Sequence, residues 1–319
     1  MDFAFRLPSA GTVCLSAPTA TVFAILVAAG CGADAGEETA LLRGDRAFAH
    51  GDYEEALAEY RLSMLRDNPG GEAEMRAAHA YAALDRIDEA SSLYQRAVRG
   101  DSAYADQAIS DLVAAAIRAQ AGGDSYGMAS AIEAAQSLRR GIVVEELALA
   151  LARHYSETGQ GARARPLYLR ALGADPTDPE VVFETALAHV EIGDCESALH
   201  YLATFGELAP DRSSEANWHI GWCSYELFRE RRSQGHVEEA VELLEAVIRH
   251  EEPRTHLPQA YFDRADLLSD MGECAAAVEA YRAVATRFGA GHGALARRAL
   301  NRMDSIRFGV GTEGGAGAC

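Results

Sequence analysis

The chain has 319 residues, of which 49% are apolar and only 9 are proline, and its formal net charge is −19. Such a length suits either two ordinary domains or one repeat array, and the acidic excess weighs against nucleic acid or an anionic lipid surface as principal partner, since both would be repelled. All 29 basic residues are arginine, and richness in Ala and Leu with few β-branched runs makes helix the expected local state.

The first thirty residues differ from the rest. Arg6 is their one basic residue, and Thr19 to Ala29 forms an apolar run, TATVFAILVAA. That run is short for crossing a bilayer but suits the core of an export signal. Its end, Val27-Ala28-Ala29-Gly30-Cys31, resembles the lipobox of bacterial lipoproteins, with Ala28 where Leu or Val is usual. The resemblance implies cleavage before Cys31, lipid attachment at that thiol, and anchoring by the acyl chains. Ordinary secretion with cleavage after Ala33-Asp34-Ala35, or an uncleaved N-terminal anchor, are the alternatives. Each places the body outside the cytoplasm, with residues 1–30 as signal and 31–37 as a short linker.

From about Glu38 the chain repeats itself. Starting at a turn residue and stepping five, four and three positions, Gly159 leads to Ala164, Tyr168 and Ala171, and Gly193 to Ala198, Leu202 and Phe205. Gly51 leads to Ala56, Tyr60 and Ser63, and Asp85 to Ala90, Tyr94 and Ala97. Gly235 gives Ala240, Leu244 and Val247, and Gly272 gives Ala277, Tyr281 and Val284. A small residue early in a helix admits a close neighbour, and residues four and seven further on share its face. Gly turns the chain between two antiparallel helices, and a following Pro (Pro69, Pro176, Pro210, Pro253) ends the second. Each preceding helix carries its own small residue: Gly44, Ala78, Ala152, Ala186, Gly221 or Ala265.

Six units in near-register, with 34 residues between Gly51 and Asp85 and between Gly159 and Gly193, resemble the tetratricopeptide repeat. That implies an all-α, right-handed superhelical solenoid of antiparallel helix pairs, about seven units over residues 38–307, with His292 to Arg307 as capping helix. The 74 residues between Asp85 and Gly159 leave room for two units. The one around Ala114 to Leu138 fits poorly, and Ala121-Gly122-Gly123-Asp124-Ser125-Tyr126-Gly127 predicts an enlarged turn. Between Gly221 and Gly235 the first helix is expected to be two turns longer. Residues 308–319 are Gly-rich and predicted to be disordered.

No metal, nucleotide or nucleophile motif stands out. The ten histidines are scattered, and His236, His250 and His256 fall in turns or at helix ends, where solvated or capping roles are expected. The reading is therefore non-catalytic, without a metal or small-molecule cofactor. Cys195 begins the second helix of one unit and Cys223 lies in the first helix of the next. They are candidates for a disulfide in an oxidising compartment or simply two thiols at small packing positions. Cys274 is too far from Cys195 to bond with it, Cys14 goes with the leader, and Cys319 belongs to the tail.

In tetratricopeptide arrays the first helices line an inner groove that takes a peptide or partner helix. Carried over residue by residue, the groove positions here are mixed in most units (Asp45, His79, Arg153, Asp266). They are apolar in two, at Phe183, Leu187 and Val190 and then Trp218, Trp222 and Tyr225, with Phe262 continuing the line. The alternative is that later helices bury this stripe as core. The resemblance thus implies a cell-envelope interaction scaffold, binding a protein or peptide and joined to the membrane through Cys31. A structural accessory subunit of an envelope or secretion machine is the second reading, and a solenoid acting on cell-wall or saccharide material the third. The run from Ala277 to Phe288 is similar to repeats of periplasmic tetratricopeptide proteins, which selects no pathway.

Overall fold

The step pattern of small and aromatic residues becomes a stack of helix pairs in the computed structural model, which describes residues 39–66, 71–308 and Cys319. The leader with Cys31, the linker 31–37 and the Gly-rich stretch 309–318 lie outside the described residues. Among those described, the regular structure is helical, without strands. The first four pairs are α1 (Ala40–His50) with α2 (Tyr53–Arg66), α3 (Gly71–Ala83) with α4 (Ile87–Gly100), α5 (Ala105–Ala121) with α6 (Ser125–Leu138), and α7 (Ala148–Glu157) with α8 (Gly161–Ala174). Then come α9 (Pro179–Glu191) with α10 (Cys195–Leu208), α11 (Asn217–Gln234) with α12 (Val237–His250), and α13 (Leu257–Asp270) with α14 (Cys274–Phe288). The last helix, α15 (Gly293–Phe308), packs on α13 and α14 through Ala299 and Met303. Seven pairs and a closing helix make a solenoid of the tetratricopeptide type.

The reason lies in the small residues. Ala56, Ala90, Ala164, Ala198, Ala240 and Ala277, the first step of each unit, are all fully buried. So are Ala78, Ala152, Ala186 and Ala265 on the preceding helices, because only a methyl group fits where two helix backbones approach this closely. Large residues one turn on (Tyr60, Tyr94, Leu202, Tyr281) fill the space between pairs. The buried tyrosines keep a polar partner, as burial requires. Tyr60 donates to Asp45 at 3.0 Å and Tyr94 to Asp111 at 2.7 Å, and burial, reinforced by these carboxylates, pushes both phenols well above their usual range.

Seven intra-pair turns share one backbone device, a residue at positive φ: Gly51, Asp85, Gly123, Gly159, Gly193, Gly235 and Gly272. Six are glycine, which takes this region without strain. Asp85 is the exception, at φ 56°, and its carboxylate pairs with Arg118 at 3.0 Å on the surface. Asp85→Gly is expected to raise stability by about 0.5–1 kcal/mol, because relief of the left-handed backbone outweighs an exposed ion pair. Denaturant titration checks it; a loss of stability would mean that the Arg118 pair outweighs the backbone.

Three expectations need correction. The poorly matching unit has no enlarged turn: Gly123 turns the chain as its counterparts do, and Asp124 caps α6 by accepting from the Gly127 N–H at 2.8 Å. Steps of five, four and three from Gly123 reach Met128, Ile132 and Ala135, all buried; the repeat was hidden because Met stands in the usual place of Ala. The insertion near Gly221 is shared, since α11 has 18 residues against 13 in α9 and a 3-10 segment, Pro210–Ala216, precedes it. Cys319 is not on a loose end. It bonds to Cys274 (Cα–Cα 5.5 Å), and its N–H donates to the Ser269 carbonyl at 3.1 Å. No helix among the described residues is long and apolar enough to cross a membrane.

Candidate functional site

Trp218 and Trp222 lie one turn apart on α11, so their side chains leave the same face. Their rings are parallel within 5°, with centroids 5.6 Å apart. Beyond Trp222 the stack continues through a residue from another segment. The His256 imidazole, just before α13, stacks on Trp222 at 5.4 Å and on Tyr225 at 4.6 Å. Four rings thus form a ladder, Trp218–Trp222–His256–Tyr225, in which each offset face contributes attraction beyond the area it buries. At one end the Tyr225 hydroxyl donates to Asp263 at 3.4 Å, and Gln259 donates to the other carboxylate oxygen at 2.8 Å. Burial raises Asp263 above the ordinary carboxylate range, and burial together with that carboxylate pushes Tyr225 up to about 12. The other end is open: Trp218 is 45% exposed.

Gly221 makes the ladder possible. A Cβ at that position would stand 1.7 Å from the Glu252 carbonyl oxygen and 2.6 Å from its carbon, so the segment leading to His256 lies directly on the α11 backbone. The His256 N–H then donates to Pro253 O at 2.9 Å, and its carbonyl accepts from Ala260 at 2.8 Å. His219 also faces this region, edge-on to Trp218 and 6.1 Å from Phe183. The Nδ1 atoms of His219 and His256 are both buried without a hydrogen-bond partner among the described residues.

Burial holds the His219 imidazole below its usual range, and burial with the nearby Arg249 charge does the same to His250. Around pH 6 the unfolded chain therefore takes up protons that the folded chain refuses. Stability should be flat above about pH 7 and fall as pH drops through about 6.5 towards 5.5. Thermal melts across that window check the slope, and His219→Asn is expected to flatten it; an unchanged slope in that variant would contradict the assignment.

The candidate residues named from sequence are distributed as follows. Trp218, Trp222 and Tyr225 come together, joined by His256, for which a solvated or capping role was expected. Phe183 turns inward onto Phe205 at 4.6 Å, Val190 packs beside Cys195 and Cys223, and Leu187 is half-buried. Phe262 is a correction: it is 1% exposed, in contact with Tyr281 and covered by Arg298, because α14 and α15 close over it. Cys195 and Cys223 are joined (Cα–Cα 5.0 Å), tying α10 to α11 beneath Trp222. Cys31 lies outside the described residues.

The mixed positions of other units are occupied by internal partners: Asp45 by Tyr60 and Arg76, His79 by Asp111 at 2.9 Å, Arg153 by Glu184 at 2.9 Å, and Asp266 by Tyr281. Among the described residues no group of three or more His, Cys, Asp or Glu could hold a metal ion.

Residues 41–108 and 149–212 match the tetratricopeptide repeat family model. The chain therefore carries tetratricopeptide repeats in these stretches, and no curated protein matches it. Among solved structures it is similar to "Naa15/Naa10 bound to HypK-THB", at 19% identity and a TM-score of 0.44 over 82% of this chain. The chain spans 39% of the length of that protein. It is also similar to YrrB, described as "a TPR protein with an unusual peptide-binding site" (18% identity, TM-score 0.31, 63% of this chain and 96% of that one). A third is the TPR2AB domain of yeast Sti1 in complex with pHSP90 (12% identity, TM-score 0.31, 84% and 96%).

Proposed function

We propose that this protein is a non-catalytic scaffold that holds a protein or peptide segment against the aromatic face of α11. The observation that carries this reading is the ladder itself. Its inner rings are locked by stacking and by Gly221, while its last ring, Trp218, is 45% exposed. A rigid aromatic platform with one open end offers large contact area at little cost in side-chain entropy, the pattern of residues that dominate protein interfaces. The half-buried Leu187 and Phe183 continue this face onto α9.

The envelope location is part of the same proposal. It is supported by the apolar run and Gly30-Cys31 of the leader, and by two cysteine pairs of a kind that persists in oxidising compartments. In this reading residues 1–30 are removed, Cys31 carries the lipid, and the solenoid body reaches into the periplasm.

Affinity capture from solubilised membranes tests the surface. Proteins retained by wild type should be lost with a Trp218→Ala/Trp222→Ala/Tyr225→Ala variant; recovery of the same set with both would reject it. Mass spectrometry tests the anchor, since Cys31→Ser should lose the acyl mass, and equal masses apart from the substitution would return the leader to ordinary secretion.

A further inference from the structure

A cavity lies away from the aromatic ladder, on the side of the second helices. A trough of about 600 Å³ runs between α10 and α12, with α11 as its floor. Its floor and the α10 wall are mostly apolar, with Ile220, Leu227, Leu202, Ala203 and Gly206, while Leu243, Glu239 and Glu242 stand on the α12 side. Ile220, Ser224, Leu227 and Arg231 recur at helical spacing, so α11 offers one continuous strip to it. The Cys195–Cys223 bond fixes α10 to α11 beside the strip, so the trough does not depend on a ligand to hold its walls.

Two features point to an occupant. Ser224 is 1% exposed and lines the trough, and its hydroxyl has no hydrogen-bond partner among the described residues. A hydroxyl left so costs free energy that a water held beneath the ligand chain would return. The charges at the two ends also differ. At the Arg231 end the guanidinium is already neutralised by Glu196 and by Glu239 at 3.0 Å. At the other end His250 is bonded to Asn217 at 2.9 Å, and the neighbouring Arg249 is exposed and makes no ion pair among the described residues. Arg249 therefore stands uncompensated at this mouth, two turns along α12 from Glu242, which is also exposed and without an ion pair among the described residues.

Size separates the candidate ligands. Small-molecule sites occupy about 300–1,000 Å³ and are mostly apolar with a few convergent polar groups, which this trough matches. A stable protein interface needs roughly 800 Å² per partner, more than a trough of this kind offers alone. From Glu239 to Arg249 the α12 wall runs about 15 Å at 1.5 Å per residue. At roughly 1.2 Å of advance per bond in an extended chain, that is about a dozen bonds.

We propose that this trough binds a single-chain fatty acid, with its carboxylate on Arg249 and its hydrocarbon laid over Ile220, Leu202 and Leu243 towards Leu227. The site is independent of the aromatic ladder. Its specificity has two parts: charge at one end selects an anion, and the length of the apolar strip selects chains near twelve carbons.

Gly206 supplies a clean test. A Cβ there would meet no atom within 4 Å, so Gly206→Leu projects into the empty trough without displacing a neighbour. Helix content and melting temperature should be retained or raised. Calorimetric titration of the purified protein with dodecanoate, below its micelle concentration, should show saturable one-to-one binding. Gly206→Leu should abolish that binding, and Arg249→Gln should weaken it about tenfold. Dodecyltrimethylammonium, which has the same chain and the opposite charge, should bind at least tenfold more weakly than dodecanoate. No saturable binding to wild type, equal binding by Gly206→Leu, or equal affinity for the cationic probe would each overturn the proposal. Loss of a captured protein in Gly206→Leu without any dodecanoate binding to wild type would assign the trough to a partner helix and overturn it as well.

Discussion

Gly221→Ala is expected to lower the stability of the solenoid by about 3 kcal/mol or more, an unusually large effect for one methyl group. The added Cβ would lie 1.7 Å from the Glu252 carbonyl oxygen, and the obstacle is backbone on both sides, so no side chain can rotate away. Either α11 shifts from the segment before α13, or that segment moves outward with His256. The first response opens the α11–α13 contact around Phe228, Ala260 and Leu267. The second removes His256 from between Trp222 and Tyr225. Urea unfolding of wild type and variant measures the cost, and near-ultraviolet circular dichroism of the stacked tryptophans should weaken at the same time. A variant of wild-type stability and spectrum would show that α11 and the Glu252 backbone are not in this contact.

The second large effect concerns binding. Trp222→Ala is expected to reduce affinity for the captured partner by about 2–4 kcal/mol, roughly 30- to 1,000-fold. Trp222 is the central ring: it supports Trp218 on one face and His256 on the other, so its loss removes its own contact and unseats two neighbours. It also packs against the buried cluster of Cys195, Ala198, Cys223 and Leu227, and some stability will be lost with it. Trp218→Ala separates the two contributions. That ring is exposed, and its removal should leave the melting temperature within about a degree of wild type while costing about 1–2 kcal/mol of affinity. If surface plasmon resonance gives wild-type affinity for both variants, the ladder is packing and not a platform.

Most of the fold was legible because it is written in local spacing. A small residue, a large one four positions on, and a Gly or Asp before them report contacts between neighbouring helices, and these recur in six of the seven units. The Gly123 unit fits the pattern poorly in sequence because Met128 replaces the usual Ala, although its turn and its next two buried positions follow the pattern.

Of the candidate site, the pair Trp218 and Trp222 could be read from their four-residue separation. His256 could not, since its place depends on the Glu252 backbone reaching Gly221, an approach between segments that no periodicity encodes. The same holds for Phe262, whose burial is decided by α15, and for Cys319, whose bond to Cys274 joins positions 45 residues apart. The trough between α10 and α12 had no sequence signal beyond the insertion before Gly235.

The central claim is that a partner segment rests on the open end of the aromatic ladder, and site-specific photo-crosslinking tests it most directly. A benzophenone amino acid placed at position 218 of the full-length protein should give discrete adducts with a partner in intact cells, and adding Trp222→Ala should remove them. The same probe at Arg165, exposed on α8, should give none of those bands. Adducts from position 165 with none from 218, or adducts from 218 that survive Trp222→Ala unchanged, would contradict the account.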